Sequence, residues 1–109
     1  MTISVLKSKL HRIRVTEANL DYEGSLTLDP DDMECAGIVK YEKILVANVE
    51  NGERFETYAI EGERGTHVCC LNGAAAHKGK KGDRLIVMAF GNIALEESAT
   101  HTPKVVHFK

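Results

Sequence analysis

Apolar and polar positions alternate with a period of two along most of the chain, in short runs. Leu10 to Thr16 sets His11, Ile13 and Val15 on one face and Arg12 and Arg14 on the other, as a half-buried strand requires. Tyr22 to Leu28 alternates again, with Tyr22, Gly24, Leu26 and Leu28 on one side. Ile44 to Val49 reads as a buried strand. Asn51-Gly52 follows it and Arg54 to Ile60 alternates afterwards, a hairpin signal. Thr66 to Leu71 predicts a strand ended by Asn72-Gly73. Leu85 to Phe90 predicts the most apolar strand, and Lys104 to Phe108 a short terminal one. Only Asp29 to Gly37 carries a full helix signature: Asp29 as N-cap, Pro30 at the first helical position, acids in the first turn and Gly37 as the stop. Ala74 to His77 offers a further helical turn, and Lys78 to Asp83 a solvated, glycine-rich basic loop.

Six or seven short strands with one or two short helices predict a mainly β fold, a small closed barrel. A faint repeat accompanies them. Gly37-Ile38 leading into Glu42-Lys43-Ile44-Leu45-Val46 resembles Gly82-Asp83-Arg84-Leu85-Ile86-Val87, as the halves of a pseudo-symmetric barrel would.

At 109 residues the chain is expected to form one domain, 1–109, with a single core. The net charge of −2 gives no general drive toward nucleic acid. The longest apolar run, six residues from Leu85 to Phe90, is too short to span a bilayer, and residues 1–15 lack the apolar block of a secretory leader. Neither a nucleic-acid nor a membrane partner is therefore expected. Cys35, Cys69 and Cys70, an odd set with two adjacent, suit reduced thiols in a cytoplasmic protein. The five histidines show no metal-ligand spacing, so no metal is expected. Residues 1–15 hold four basic groups and no acid, while 16–36 hold seven acids and no Lys or Arg, a pattern of two attracting solvated faces.

Four motifs carry the candidate chemistry. They are Lys9-Leu10-His11-Arg12, Asp21-Tyr22-Glu23-Gly24-Ser25, Arg54-Phe55-Glu56-Thr57-Tyr58-Ala59-Ile60 and Asn72-Gly73-Ala74-Ala75-Ala76-His77. Each alone has a bland reading: a turn at Gly24-Ser25, a wall aromatic at Tyr58, β-propensity at Thr57, solvated charges at Lys9 and Arg54, structural histidines at His11 and His77. In this order and spacing, from Lys9 to the region of Pro103, they resemble the pyruvoyl-dependent aspartate 1-decarboxylases, which make β-alanine for pantothenate synthesis. No motif position departs from the family pattern.

The resemblance implies a six-stranded double-psi β-barrel, a homotetramer with sites between subunits, and L-aspartate as substrate. It implies self-cleavage between Gly24 and Ser25, giving a β chain 1–24 and an α chain 25–109. Gly24 lacks a Cβ, so a nucleophile can approach its carbonyl. Attack there by the Ser25 hydroxyl would turn the amide into an ester, elimination across the Ser25 Cα–Cβ bond would cut the chain, and hydrolysis with loss of ammonia would leave a pyruvoyl cap. That ketone would form a Schiff base with the substrate amine and act as electron sink, without pyridoxal phosphate or metal. The chain carries no GxGxxG or P-loop phosphate fingerprint. The family pattern makes Ser25 and Tyr58 catalytic, Tyr58 as proton donor. It gives substrate contacts to Thr57, Gly73, Ala74, Ala75, Arg54 and Lys9, and self-processing roles to Gly24, Ser25, Thr57, His11 and Asn72. Whether a helper protein assists cleavage is open.

Two spacing problems accompany this assignment. Thr57 and Tyr58 are neighbours and point to opposite faces of a regular strand. Arg54 and Tyr58 share a face but lie about 13 Å apart along it, far for one small substrate unless a twist or a second subunit intervenes. A non-enzymatic barrel that binds a partner through its basic N-terminal stretch, and an N-terminal-nucleophile hydrolase with a free Ser25 amine, are the alternatives. Intact mass separates the first, which stays a single 109-residue species, and N-terminal sequencing the second, whose serine end is not blocked.

Overall fold

The alternating runs become strands wherever their apolar side chains find a common interior. The computed structural model describes all 109 residues. Its elements, in chain order, are β1 (Thr2–Arg14), β2 (Glu17–Asn19), β3 (Ser25–Leu28), α1 (Pro30–Ala36), β4 (Lys43–Asn48), β5 (Arg54–Glu61), β6 (Cys69–Asn72), a 3₁₀ turn (Gly73–Lys78), β7 (Arg84–Ala94), a second 3₁₀ turn (Leu95–Glu97) and β8 (Lys104–His107).

The strands pair in the order β2-β6-β3-β5-β4-β7-β1-β8. The two ends of this order are joined by the chain itself. β1 runs along β7, the Val15 amide then donates to the Asp83 carbonyl at 2.8 Å, the Thr16 amide to Cys69 at 2.8 Å, and β2 continues in parallel along β6. Counting β1 and β2 as one continuous strand, six strands close into a barrel, with β8 laid along the outer edge of β1. Closure gives each strand of the ring a neighbour on both sides for part of its length. Leu10, Leu26, Leu28, Val46, Leu71 and Val87 fill the interior at 0% exposure; each such side chain contributes about 1.5–3 kcal/mol.

The faint repeat has a structural counterpart. Val46 pairs with Val87 across β4 and β7, and Leu28 with Cys69 across β3 and β6; both pairs join residues whose numbers differ by 41. That is the offset between Glu42–Val46 and Asp83–Val87, so a single local two-fold relates both strand pairs.

The helix forms as expected. Asp29 Oδ1 accepts the Asp31 amide at 2.8 Å, and Gly37 closes the end in the left-handed region at φ 70°. The other oxygen of buried Asp29 accepts the amides of Gly65 (3.0 Å) and His67 (2.8 Å), which bolts α1 to the loop before β6. Arg64 bridges Asp31 and Glu34 over the same junction, and the His67 ring rests on Asp32 at 3.0 Å. The Asn51-Gly52 hairpin joins β4 to β5 in antiparallel register, with Gly52 at φ 76°.

Four expectations are corrected. A bulge at Arg12, φ 70°, resets the alternation of β1, so Leu10 and Ile13 both face the core and His11 does not share the Ile13 face. Tyr22 to Gly24 belongs to the turn before β3, and Tyr22 is exposed. Thr66 to Val68 is irregular because the Asp29 bonds hold it off the sheet. The loop before β7 is anchored rather than merely solvated: buried Asp83 accepts from the Lys80 amide and the Asn48 side chain, each at 3.0 Å.

The His67–Asp32 contact sets a pH dependence. The Asp32 carboxylate raises the His67 pKa above its ordinary value, with Asp29 and Asp31 of α1 adding to it against partial burial. A raised folded-state pKa contributes stability that is complete below the unfolded value near 6.5 and is lost as pH climbs through the folded value. His67→Gln is therefore expected to lower Tm by about 1–4 °C at pH 5.5, the range of a solvent-screened ion pair, and by less at pH 8.5. Melting curves at the two pH values check it; an equal deficit at both would disprove the charge contribution.

Candidate active site

The site arises where β3 begins. Ser25 pairs with Asn72 and Leu26 with Leu71 on the β6 side, while on the β5 side parallel pairing starts only at Leu26 and Ala59. One step back along that parallel register sets Ser25 beside Tyr58 and Gly24 beside Thr57. β5 spends its other edge on β4, where Thr57 pairs with Ile44 and Tyr58 with Lys43. The edge of β5 facing Gly24 is therefore left without a ladder partner, and two hollows open there.

The first, about 230 Å³, is lined by Ser25, Tyr22, Lys40, Tyr41 and Tyr58 among others. The second, about 360 Å³, is lined by Gly24, Thr57, Tyr58, Ala74 and Ala75 with their neighbours. Tyr58 forms part of both walls. The Thr57–Tyr58 problem thus disappears: the strand edge itself borders the second hollow, and residues from both faces of the pleat reach it.

Ser25 is only 1% exposed and Asn72 only 2%. The Ser25 hydroxyl donates to the Glu23 carbonyl at 3.3 Å and accepts from Asn72 Nδ2 at 3.0 Å. The same Nδ2 donates to Thr27 Oγ1 at 2.7 Å, and Asn72 Oδ1 accepts from Cys70 Sγ at 3.1 Å. Asn72 occupies the cap position of the 3₁₀ turn but makes no side-chain cap, because its amide is committed to β3. Gly73 adopts φ 65°, and a Cβ there would come within 2.7 Å of Gly24 Cα and 2.9 Å of the Tyr22 carbonyl oxygen. The backbone before Ser25 thus lies directly against the backbone after Asn72, with no room for a side chain between them.

Gly24, Ser25, Thr57, Tyr58, Asn72, Gly73, Ala74 and Ala75 are brought together by this geometry. Arg54, Lys9 and His11 are not among the residues lining either hollow. Arg54 begins β5, exposed, and the β4–β5 register runs unbroken from it to Tyr58, so no bulge shortens the distance along the strand. Lys9 and His11 lie on β1 between β7 and β8. The His11 ring packs edge-on against His107 with centroids 5.5 Å apart, and its buried Nδ1 finds no partner. Burial, followed by the charges of Lys9, His107 and Arg12, lowers its pKa. Within one chain these three residues are separate from the Ser25 cluster.

Lys40, Tyr41, Thr27 and Cys70 are contributors that the motif reading passed over. Tyr41 holds φ 71° and stands 6.2 Å from the Tyr58 ring, with the Lys40 ammonium 5.0 Å over its own ring. The missed signal at Thr27 and Cys70 was alternation: each is two residues from a motif residue on the same strand face. The one group of potential metal ligands, Asp29, Asp32 and His67, is the clamp on α1 and lines neither hollow.

A family model described as aspartate decarboxylase matches residues 1–109. Relatives named aspartate 1-decarboxylase include one from Caldicellulosiruptor saccharolyticus, 58% identical over 97% of this chain and 83% of its own length. One from Parabacteroides distasonis is 54% identical over 97% of this chain and 91% of its own. One from Salinibacter ruber is 50% identical over 98% and 73% respectively.

The Gly24–Gly73 contact generates a stability prediction. Gly73→Ala adds both a positive-φ penalty and a clash with main-chain atoms, and should cost about 2–4 kcal/mol. Gly52→Ala, at φ 76° with nothing within 4 Å of the new Cβ, carries the conformational penalty alone, about 1 kcal/mol. Denaturant unfolding compares them; equal costs would show that the close approach constrains nothing.

Proposed function

The chain belongs to the aspartate decarboxylase family, and on that premise we propose that it decarboxylates L-aspartate to β-alanine and CO2 through a pyruvoyl group made from its own Ser25. It is in this reading a carboxy-lyase of pantothenate and coenzyme A synthesis. The observation that carries the proposal is the buried Ser25 hydroxyl, held between the Asn72 amide and the Glu23 carbonyl beside the first hollow, with Gly24 in the wall of the second and Tyr58 in both.

These residues fit such a group. Cleavage after Gly24 divides the chain into 1–24 and 25–109 at the point where the β3 ladder starts, so every β3 pair stays in the longer fragment. Gly73 leaves the scissile backbone unobstructed by any side chain of its own. In the self-cleavage step the Ser25 oxygen bonds to the Gly24 carbonyl carbon and the peptide C–N bond breaks, with the proton passing to the nitrogen. Loss of the Ser25 Cα proton then expels Gly24 as a free carboxylate, and water replaces nitrogen as ammonia.

The resulting ketone supplies an electron sink for the pair left when CO2 departs. Tyr58, common to both hollows, is in position to return a proton to the substrate carbon through its phenol. Thr57, Gly73, Ala74 and Ala75 border the second hollow or its backbone and offer hydroxyl and amide donors to a carboxylate.

Arg54 and Lys9 are the cations assigned to the substrate carboxylates, and neither lines the hollows of its own chain. The assembly that answers this is a homotetramer in which a neighbouring copy presents its cations across the subunit boundary. His11 would reach the processing site by the same route.

Mass spectrometry tests the proposal. Denatured wild-type protein should give two fragments, 1–24 and a 25–109 fragment with a blocked pyruvoyl end, and native spectra should give four copies. Ser25→Ala should stay intact and inactive. Tyr58→Phe should cleave normally but lose about 10²–10⁴-fold in kcat. An intact wild-type chain that still releases CO2 from L-aspartate would refute the scheme, and full activity in Tyr58→Phe would remove the phenol from it.

A further inference from the structure

The alternation of β6 separates the adjacent cysteines. Cys69 points into the core at 0% exposure together with Leu71, whereas Cys70 lies on the Asn72 face, two residues away. On β3 the same face carries Ser25 and Thr27, and the antiparallel register pairs Ser25 with Asn72 and Thr27 with Cys70. Four side chains therefore meet in one small polar square between the two strands. Its members are bonded in a chain: Cys70 Sγ to Asn72 Oδ1 at 3.1 Å, then Asn72 Nδ2 to Thr27 Oγ1 at 2.7 Å and to Ser25 Oγ at 3.0 Å.

We propose that Cys70 is a positioning residue for self-cleavage, its S–H holding the Asn72 amide in the orientation that aims the NH2 group at Ser25 Oγ. The inference deepens the processing reading above and rests on it. A carboxamide has two ends of nearly equal shape, and either could enter the square, so its orientation is set by its hydrogen-bond partners. Two hydroxyls face one end, and each can donate or accept. Only the thiol faces the other end, and a thiol is a donor with weak acceptor power. With the amide turned over, two N–H groups would confront sulfur and the Ser25 hydroxyl would be drawn to Asn72 Oδ1, away from the Glu23 carbonyl that it meets at 3.3 Å. The thiol thus breaks the tie, and Ser25 keeps a single rotor position with its oxygen accepting from Asn72.

The surroundings keep that thiol protonated. Burial and the adjacent Glu17 carboxylate push its pKa up to about 11. Of the two acceptors within reach of the thiol, Asn72 Oδ1 at 3.1 Å is nearer than Glu17 Oε2 at 3.7 Å.

The experiment follows cleavage of freshly purified full-length chains by intact mass over time, with a melting curve on each sample. Cys70→Ala and Cys70→Val should slow cleavage about five- to tenfold relative to wild type, the effect of one lost hydrogen bond on a rate. Cys70→Ser restores a donor, but one that also accepts and so orients the amide less strictly, and should cleave faster than the alanine variant without exceeding wild type. A purely packing role predicts the reverse order, with the polar, smaller serine no better than alanine. Should Cys70→Ala unfold, the serine and valine variants decide between the readings. Wild-type rates in the alanine or valine variant, or a serine variant as slow as alanine, would overturn the role of Cys70 while leaving self-cleavage standing. A wild-type chain that never cleaves would instead overturn the processing reading and this one with it.

Discussion

The pairing of Ser25 with Asn72 is the constraint on which the site depends. β3 can start at Ser25 only because β6 ends opposite it, and β6 can end there only because Gly73 turns away at φ 65° without a side chain. The two backbones then lie so close that the Asn72 amide spans the gap to Ser25 Oγ at 3.0 Å. Ser25 and Asn72 are so little exposed that their polar groups are satisfied chiefly by one another. Asn72 does so with both ends of its amide, and in doing so fixes the hydroxyl that the chemistry uses.

The barrel supplies the rigidity that this pairing needs. Ring closure gives every strand around the interior a neighbour on both sides for at least part of its length, and the site occupies the stretch of β5 that has no neighbour on its β3 side. The local two-fold makes the two halves comparable. At the offset of 41 residues, Leu28 corresponds to Cys69 and the segment after it to the segment after Cys69. In the first half that segment is a capped α-helix bolted down by Asp29. In the second it is a loose 3₁₀ turn with no side-chain cap, beginning with Asn72 and Gly73. One architectural position thus serves stability in one half and the candidate site in the other.

Much of this was legible in the sequence where short-range physics governs. The Asp29–Gly37 helix and the Asn51-Gly52 hairpin depend on caps and turns that neighbouring residues encode. Strand β5 kept its register because its alternation is uninterrupted. His11 was misplaced because a bulge at Arg12 shifts the phase, and nothing in a two-residue alternation announces an inserted residue. The first half of β1 went unread because fully buried Ser8 stands where an apolar residue would signal the interior. Tyr22 was set on a strand face because the alternation of Leu26 and Leu28 extends formally through Gly24, whereas the glycines at 24 and 73 need a turn there. Among site residues, Gly24, Ser25, Thr57, Tyr58 and Asn72 to Ala75 gather, whereas Arg54, Lys9 and His11 do not; alternation puts Thr27 and Cys70 on the faces of Ser25 and Asn72, and the β3–β6 register, a long-range fact, brings those faces together.

The position of the cations follows from the same geometry. A strand rises about 3.3 Å per residue, and β5 has no bulge between Arg54 and Tyr58 to fold that length back. Lys9 is further removed, on the strand opposite β5 in the ring, with two strands between them in either direction. A barrel of six strands has an interior filled by its own side chains, so it cannot bring opposite walls together around a ligand. Substrate carboxylates must therefore be met from outside the ring. Under the proposed function, a second copy of the same chain docked over the open edge of β5 would supply that charge, in a closed assembly in which every copy both gives and receives the contact. The barrel would then contribute the electrophile and the proton donor in one chain, and assembly the counter-charges.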